Sequence, residues 1–150
     1  ISAIATNGER LASVSRDLTL RLWSLPEKQL IKTFPIGQSQ TLALHPSGNY
    51  IIVGNGSQVN VWVVGQSTPE RLCSGAEDIT ALALSPDARL LAVGTDGNVL
   101  RVHEGASGQC VSELAQGWGV VAIAFNGHTL VSSSQDETVT VWQRSVDAMP

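Results

Sequence analysis

The chain has 150 residues, with nine Lys and Arg against thirteen Asp and Glu for a formal charge of −4, and 43% of its residues are hydrophobic. That size suits one ordinary domain or part of a larger one, with chain enough to bury a real core. The acidic balance argues against nucleic acid as the main partner, because duplex binding leans on a basic surface.

Short strands separated by turns are expected throughout. The first unit holds strands at 3–5, around Leu11, at 18–22 leading to Trp23, and at 30–34. A second follows at 41–44, around Ile51, at 59–62 ending in Trp62, and at 70–73. The third runs through 81–84, Leu91, 100–103 ending in His103, and 110–114. The last has 121–124, Leu130 and 138–142 ending in Trp142, and its segment 145–150 is too short and weakly apolar to read as a fourth strand. Alternation such as Leu18-Thr19-Leu20-Arg21-Leu22, and β-branched residues as in Thr138-Val139-Thr140-Val141, suit a pleated surface. Asn7-Gly8, Pro46-Ser47-Gly48, Pro86-Asp87-Ala88 and Asn126-Gly127 supply the backbone angles of tight hairpins. Gly and Pro interrupt any helical stripe before it grows long. The expected fold class is all-β, built from meanders.

The units repeat in register. Leu11, Ile51, Leu91 and Leu130 are spaced by 40, 40 and 39 residues, and the stretches from Asn7 to Trp23 and from Asn126 to Trp142 align without a gap. Units of this length with Ser-Pro-Asp or Pro-Ser-Gly, then Leu-Ala-Ser-x-Ser-x-Asp, then alternating residues ending in Trp, resemble WD40 repeats. The resemblance covers nearly the whole chain. It implies a β-propeller whose blades are four-stranded antiparallel meanders, the last lacking its outer strand, and the whole of 1–150 as one propeller segment with repeats at about 1–37, 38–76, 77–117 and 118–150. It further implies a structural network in which Asp17 and Trp23, and likewise Asp136 and Trp142, fix turns, with Ser13 or Ser15 and Ser132 or Ser134 as the hydroxyl members. The family's Gly-His pair is missing, with Gly37-Gln38, Gly75-Ala76 and Gly117-Trp118 in its place. The two middle blades are expected to lean on apolar packing from Ile51, Ile52, Leu90 and Leu91.

Four blades are few for a ring, and the chain opens on Ile1-Ser2-Ala3-Ile4 without an initiator Met or signal peptide. Two readings stay open: part of a longer propeller, or copies that associate to complete a ring. Apolar runs such as Val120-Val121-Ala122-Ile123-Ala124-Phe125 fall far short of the roughly 20 residues of a membrane-crossing helix. Cys73 and Cys110 give neither a disulfide framework nor metal-type spacing, and a reduced, cytoplasmic setting is expected.

No catalytic constellation, cofactor or metal site is expected. His45, His103 and His128 fall at different points of separate repeats, and neither a phosphate-binding Gly-rich loop nor a nucleophile elbow is present. What remains is a surface. By position in the resembling family, the loop face carries Arg16, Asp17, Gln38, Asn55, Ser57, Glu77, Asp78, Asp96, Trp118, Gln135, Asp136 and Glu137, six carboxylates against one Arg. Of these, Arg16, Glu77, Asp78, Asp96, Trp118 and Gln135 are the candidate partner-binding residues, for a basic or amide-rich peptide. The acids read equally as solvated turn residues, and Trp118 as either an anchor for a partner or a filler of the missing His position. The functional expectation is a non-enzymatic scaffold that docks protein partners, with further blades of the same chain or another copy beside it. The alternative is the sensor region of a larger nucleotide-switch protein.

Overall fold

A computed structural model describes residues 1–143, and all regular elements among them are strands. The first sheet contains β1 (Ala3–Thr6), β2 (Arg10–Val14), β3 (Thr19–Ser24) and β4 (Gln29–Pro35). The second contains β5 (Thr41–Leu44), β6 (Tyr50–Asn55), β7 (Gln58–Val63) and β8 (Glu70–Ser74). The third has β9 (Ile79–Leu84), β10 (Leu90–Thr95), β11 (Val99–Glu104) and β12 (Cys110–Ala115), and the fourth has β13 (Val120–Asn126), β14 (Thr129–Ser134) and β15 (Val139–Gln143). Each sheet is a meander, its strands pairing antiparallel in chain order. The segment 145–150, where no fourth strand was expected, lies outside the described residues.

Inner strands stack in sequence, β1 on β5, β5 on β9 and β9 on β13. Side chains from facing sheets close three separate apolar layers. The first joins Ala12, Val14, Leu20, Leu22 and Phe34 to Leu42, Leu44, Ile51, Val53 and Trp62. The second joins Ala43, Ile52 and Val59 to Leu82, Leu91 and Val93, and the third joins Ala92, Leu100 and Val102 to Val120 and Leu130. Successive four-stranded meanders packed face to face along their inner edges are propeller blades.

This stacking explains why the strands differ in sequence pattern. A sheet with one covered face alternates, as β3 does: Leu20 and Leu22 are fully buried while Arg21 between them reaches solvent. A sheet caught between two others is apolar on both sides, so β6 and β10 carry the unbroken runs Ile51-Ile52-Val53 and Leu91-Ala92-Val93, all buried. Sharp turns complete the meanders. Leu18 and Glu137, each following an Asp, adopt left-handed backbone angles of φ 62° and 67°, a strained state for residues with a side chain. The preceding carboxylates compensate. Asp17 accepts from the Thr19 amide at 3.1 Å and hydroxyl at 2.6 Å, and Asp136 accepts the same pair from Thr138 at 3.0 and 2.6 Å.

Candidate functional site

The β2–β3 turn, its counterparts in the other blades, and the loops that enter the inner strands share one face of the stack. In the first blade, Trp23 donates its indole N–H to Ser13 at 3.3 Å. In the fourth, Trp142 donates to Ser132 at 2.9 Å, and the Gln116 amide donates to the same hydroxyl. Asp17 and Asp136 stand apart from these Trp–Ser pairs and cap their own turns. Where the family places a His after Gly117 this chain has Trp118, and the buried amide of Gln116, just before that glycine, donates to the Ser132 hydroxyl. Its signal in the sequence was a long amide entering a fold layer that already held a Ser and a Trp needing satisfaction.

The third blade uses a different set. Thr95 donates to Glu77 at 2.8 Å, Arg101 lies 3.6 Å from the same carboxylate, and Arg101 also donates to Glu113 at 2.9 Å. His103, in the Trp position, is buried with Nδ1 2.9 Å from the Gly108 carbonyl. His45 and His128 lie in turns, and among the described residues no group of three or more His, Cys, Asp or Glu side chains is placed to hold a metal ion.

These contacts correct the charge balance expected of the loop face. Arg21 bonds Asp17 at 3.0 Å and Arg101 lies 3.6 Å from Glu77, so two further arginines reach this face and two of its six carboxylates have a cationic partner. Glu77 is thereby committed to internal partners. Arg16 is exposed on the first blade's turn, two to three blades away in the stack from the remaining candidates. Asp78, Asp96, Asp136 and Glu137 are exposed around the third and fourth blades. Asp96 accepts from the Asp78 amide at 3.0 Å, and its own amide donates back to the Asp78 carbonyl at 2.9 Å, so the two loops are locked together.

Trp118 stands among these acids with 64% of its surface exposed. The filler reading therefore fails, since Gln116 already occupies the network. Its backbone is held by the end of β14 and the residue that follows it. Ser134 donates to the Trp118 carbonyl at 3.1 Å, and Gln135 donates its amide to the Gly119 carbonyl at 3.0 Å. A Cβ on Gly117 would lie 2.8 Å from the Asp136 carboxylate, and one on Gly119 would lie 2.8 Å from the Asp96 carbonyl oxygen. The loop passes so close to the Asp96 backbone that position 119 needs glycine, while at 117 an added Cβ would require the Asp136 carboxylate to move aside.

Asp87 caps a turn of the third blade, accepting from the Ser85 hydroxyl at 2.6 Å and the Arg89 amide at 3.1 Å, and Asp17, Asp87 and Asp136 all titrate below the usual Asp range. Hydrogen bonding from Thr19 holds Asp17 down, the Ser85 hydroxyl does so for Asp87, and the Thr138 hydroxyl for Asp136. A carboxyl whose value is lowered by folding stabilises the native state above its unfolded value of about 3.9 and gives that up as pH falls through the lowered one. Stability is thus expected to decline on acidification below about pH 4. The triple variant D17N/D87N/D136N should start from a lower melting temperature at pH 6 and show a flatter decline to pH 3 in thermal scans.

Residues 67–104 and 108–143 match the family described as WD domain, G-beta repeat. The chain is 32% identical over 154 residues to a p21-activated protein kinase-interacting protein 1-like protein of Xenopus laevis, covering 94% of this chain and 40% of that protein. It is 26% identical over 148 residues to telomerase protein component 1 of Rattus norvegicus, covering 93% of this chain and 6% of that one. It is 24% identical to a ribosome biogenesis protein WDR12 homolog of Drosophila erecta, covering 99% and 42%. The chain thus spans less than half the length of each of these relatives. A solved structure, the computationally designed Ika4 protein, superposes with a TM-score of 0.78 at 26% identity, covering 96% of this chain and 91% of that one. Repeat spacing, meander topology, Trp–Ser pairing and these matches agree: the chain belongs to the WD40-repeat family.

Proposed function

We propose that this segment is a non-enzymatic docking module whose loop face receives a basic or amide-rich peptide, with Trp118 as its anchor. The observation that carries the reading is the rigidly mounted, 64% exposed indole beside exposed carboxylates of Asp96 and Asp136. Leaving an indole in water forgoes the burial that would otherwise stabilise the fold, and aromatic residues held in this way dominate interface energetics. Carboxylates around it add attraction for Lys or Arg, strongest at low salt, and a cation stacked on the ring gains further. The names of relatives, one an interactor of a kinase and another a component of telomerase, support a binding role.

Further blades belong to the same proposal. Ile4 on the first blade and Val139 and Val141 on the fourth are exposed apolar residues on sheets that have a neighbour on one side among the described residues. Another blade of a longer chain, or of a second copy, stacked there would cover them as the existing layers are covered.

Trp118→Ala tests the docking role. Short synthetic peptides of equal length, one rich in Lys and Arg and one in Asp and Glu, are titrated against wild type and variant. The basic peptide is expected to bind wild type more tightly, and the variant to lose on the order of thirtyfold in affinity, as for a hot-spot residue. Its melting temperature should hold, since exposed substitutions change stability by only about 0.5 kcal/mol. A fall in melting temperature with unchanged binding would overturn the anchor role.

A further inference from the structure

The junction between the second and third blades gathers both cysteines of the chain, one from each blade. Cys73 stands opposite Val59 in the β7–β8 register, and Val59 is buried in the layer that joins the two blades. Residues directly opposite each other in an antiparallel pair project from the same face. The half-buried Cys73 thiol therefore points toward the third blade, packed against the layer that holds Leu91 and Val93.

Cys110 reaches the same junction from the other side. It stands opposite His103 in the β11–β12 register, and His103 in turn stands opposite Leu91, which is fully buried in that layer. His103 lines a cavity of about 50 Å³ together with Cys73, Val59, Val93 and Arg101. One imidazole thus has Cys110 beside it on its own blade and Cys73 across the cavity. The turn before β12 is also drawn onto the second blade. Gly108, with φ of 70°, runs so close to β8 that an added Cβ would lie 2.9 Å from the Leu72 side chain. His103 holds that turn, with Nδ1 2.9 Å from the Gly108 carbonyl oxygen. Gly108 and Leu72 are near neighbours in sequence of Cys110 and Cys73.

We propose that Cys73 and Cys110 form a redox latch, a reversible disulfide that fastens the second blade to the third. The oxidant is a small-molecule disulfide of the glutathione class. The exposed Cys110, as thiolate, attacks one sulfur of the oxidant, forms a mixed disulfide and releases a first thiol. Cys73, as thiolate, then attacks the Cys110 sulfur and displaces the second thiol. In sum the two cysteines give up two electrons and two protons, and one oxidant disulfide becomes two thiols. Burial pushes the Cys73 thiol up, and the charge of Cys110 adds to that. A capped Cys110 carries no charge, so the first step eases the second.

Bridging requires the two Cα atoms to come within about 7 Å, so the cross-link reports that approach directly. The full chain, first reduced and then incubated with glutathione disulfide, is followed by intact mass and by peptide mapping without reductant. The expected product is a monomer lacking two hydrogens, with Cys73 and Cys110 in one linked peptide pair. Its melting temperature should exceed that of the reduced chain by roughly 5–10 °C, because the bridge restricts the unfolded state. Dithiothreitol should reverse both changes. Cys110→Ser, at an exposed position, should fold normally and show no rise on oxidation, whereas Cys73→Ser should retain glutathione on Cys110. A persistent glutathione adduct on the wild-type chain, linkage only between two chains, no reaction at all, or a cross-link that fails to raise the melting temperature would each overturn the latch.

Discussion

Replacing Phe34 by Ala is expected to lower unfolding free energy by about 3–5 kcal/mol, the largest loss of any single truncation in the described chain. The ring is 1% exposed and sits between the first two blades, in contact with Trp62 and under the Lys32 ammonium. Truncation removes its buried surface and leaves a void that stiff sheets on either side close poorly. It also releases the Lys32 side chain from the ring it covers. At roughly 2–4 °C per kcal/mol for a chain of this size, the melting temperature should fall on the order of 10 °C. Leu30→Ala on the same strand serves as the control, because Leu30 is exposed and its truncation should cost only about 0.5 kcal/mol. Denaturant titrations of both variants check the expectation. Similar midpoints for the two would mean that the blade junctions do not govern stability.

The second large effect is expected at Ser132. Its hydroxyl is 1% exposed and accepts from both Trp142 and Gln116. Ser132→Ala keeps the packing but strands two donors in a dry layer, at about 1–3 kcal/mol each before relaxation. A net loss of about 2–4 kcal/mol is expected. Ser13→Ala, where Trp23 alone donates and at the longer distance of 3.3 Å, should cost about 1 kcal/mol. Because Gln116 acts through the same hydroxyl, the double variant S132A/Q116A should be little worse than S132A alone. Additive losses would show that Gln116 stabilises the loop by some other contact.

The two predictions bear on what could be read from residues alone. Strand positions were legible because turn residues and apolar positions recur at a near-constant spacing, and repetition averages out the ambiguity of any one short strand. Trp23 and Trp142 stood at repeat positions, but which of two hydroxyls each indole bonds was visible only in the fold, where Ser13 and Ser132 accept. Gln116 was not, because a role defined by one residue type was filled by another, at a neighbouring position, with the same capacity to bond the hydroxyl. Arg21 and Arg101 were missed on the loop face because long side chains rise from strand positions to reach carboxylates in the turns, and sequence distance does not show that reach.

Local pattern thus determined the all-β class, the meander units and the turns, since these depend on backbone preference and on which residues alternate. What each sheet faces was decided only by the tertiary structure. Burial on one side or both, the exposure of Trp118, and the pairing of Phe34 with Trp62 across the first junction arise from residues tens of positions apart. Their fit is a matter of volume and shape across a junction.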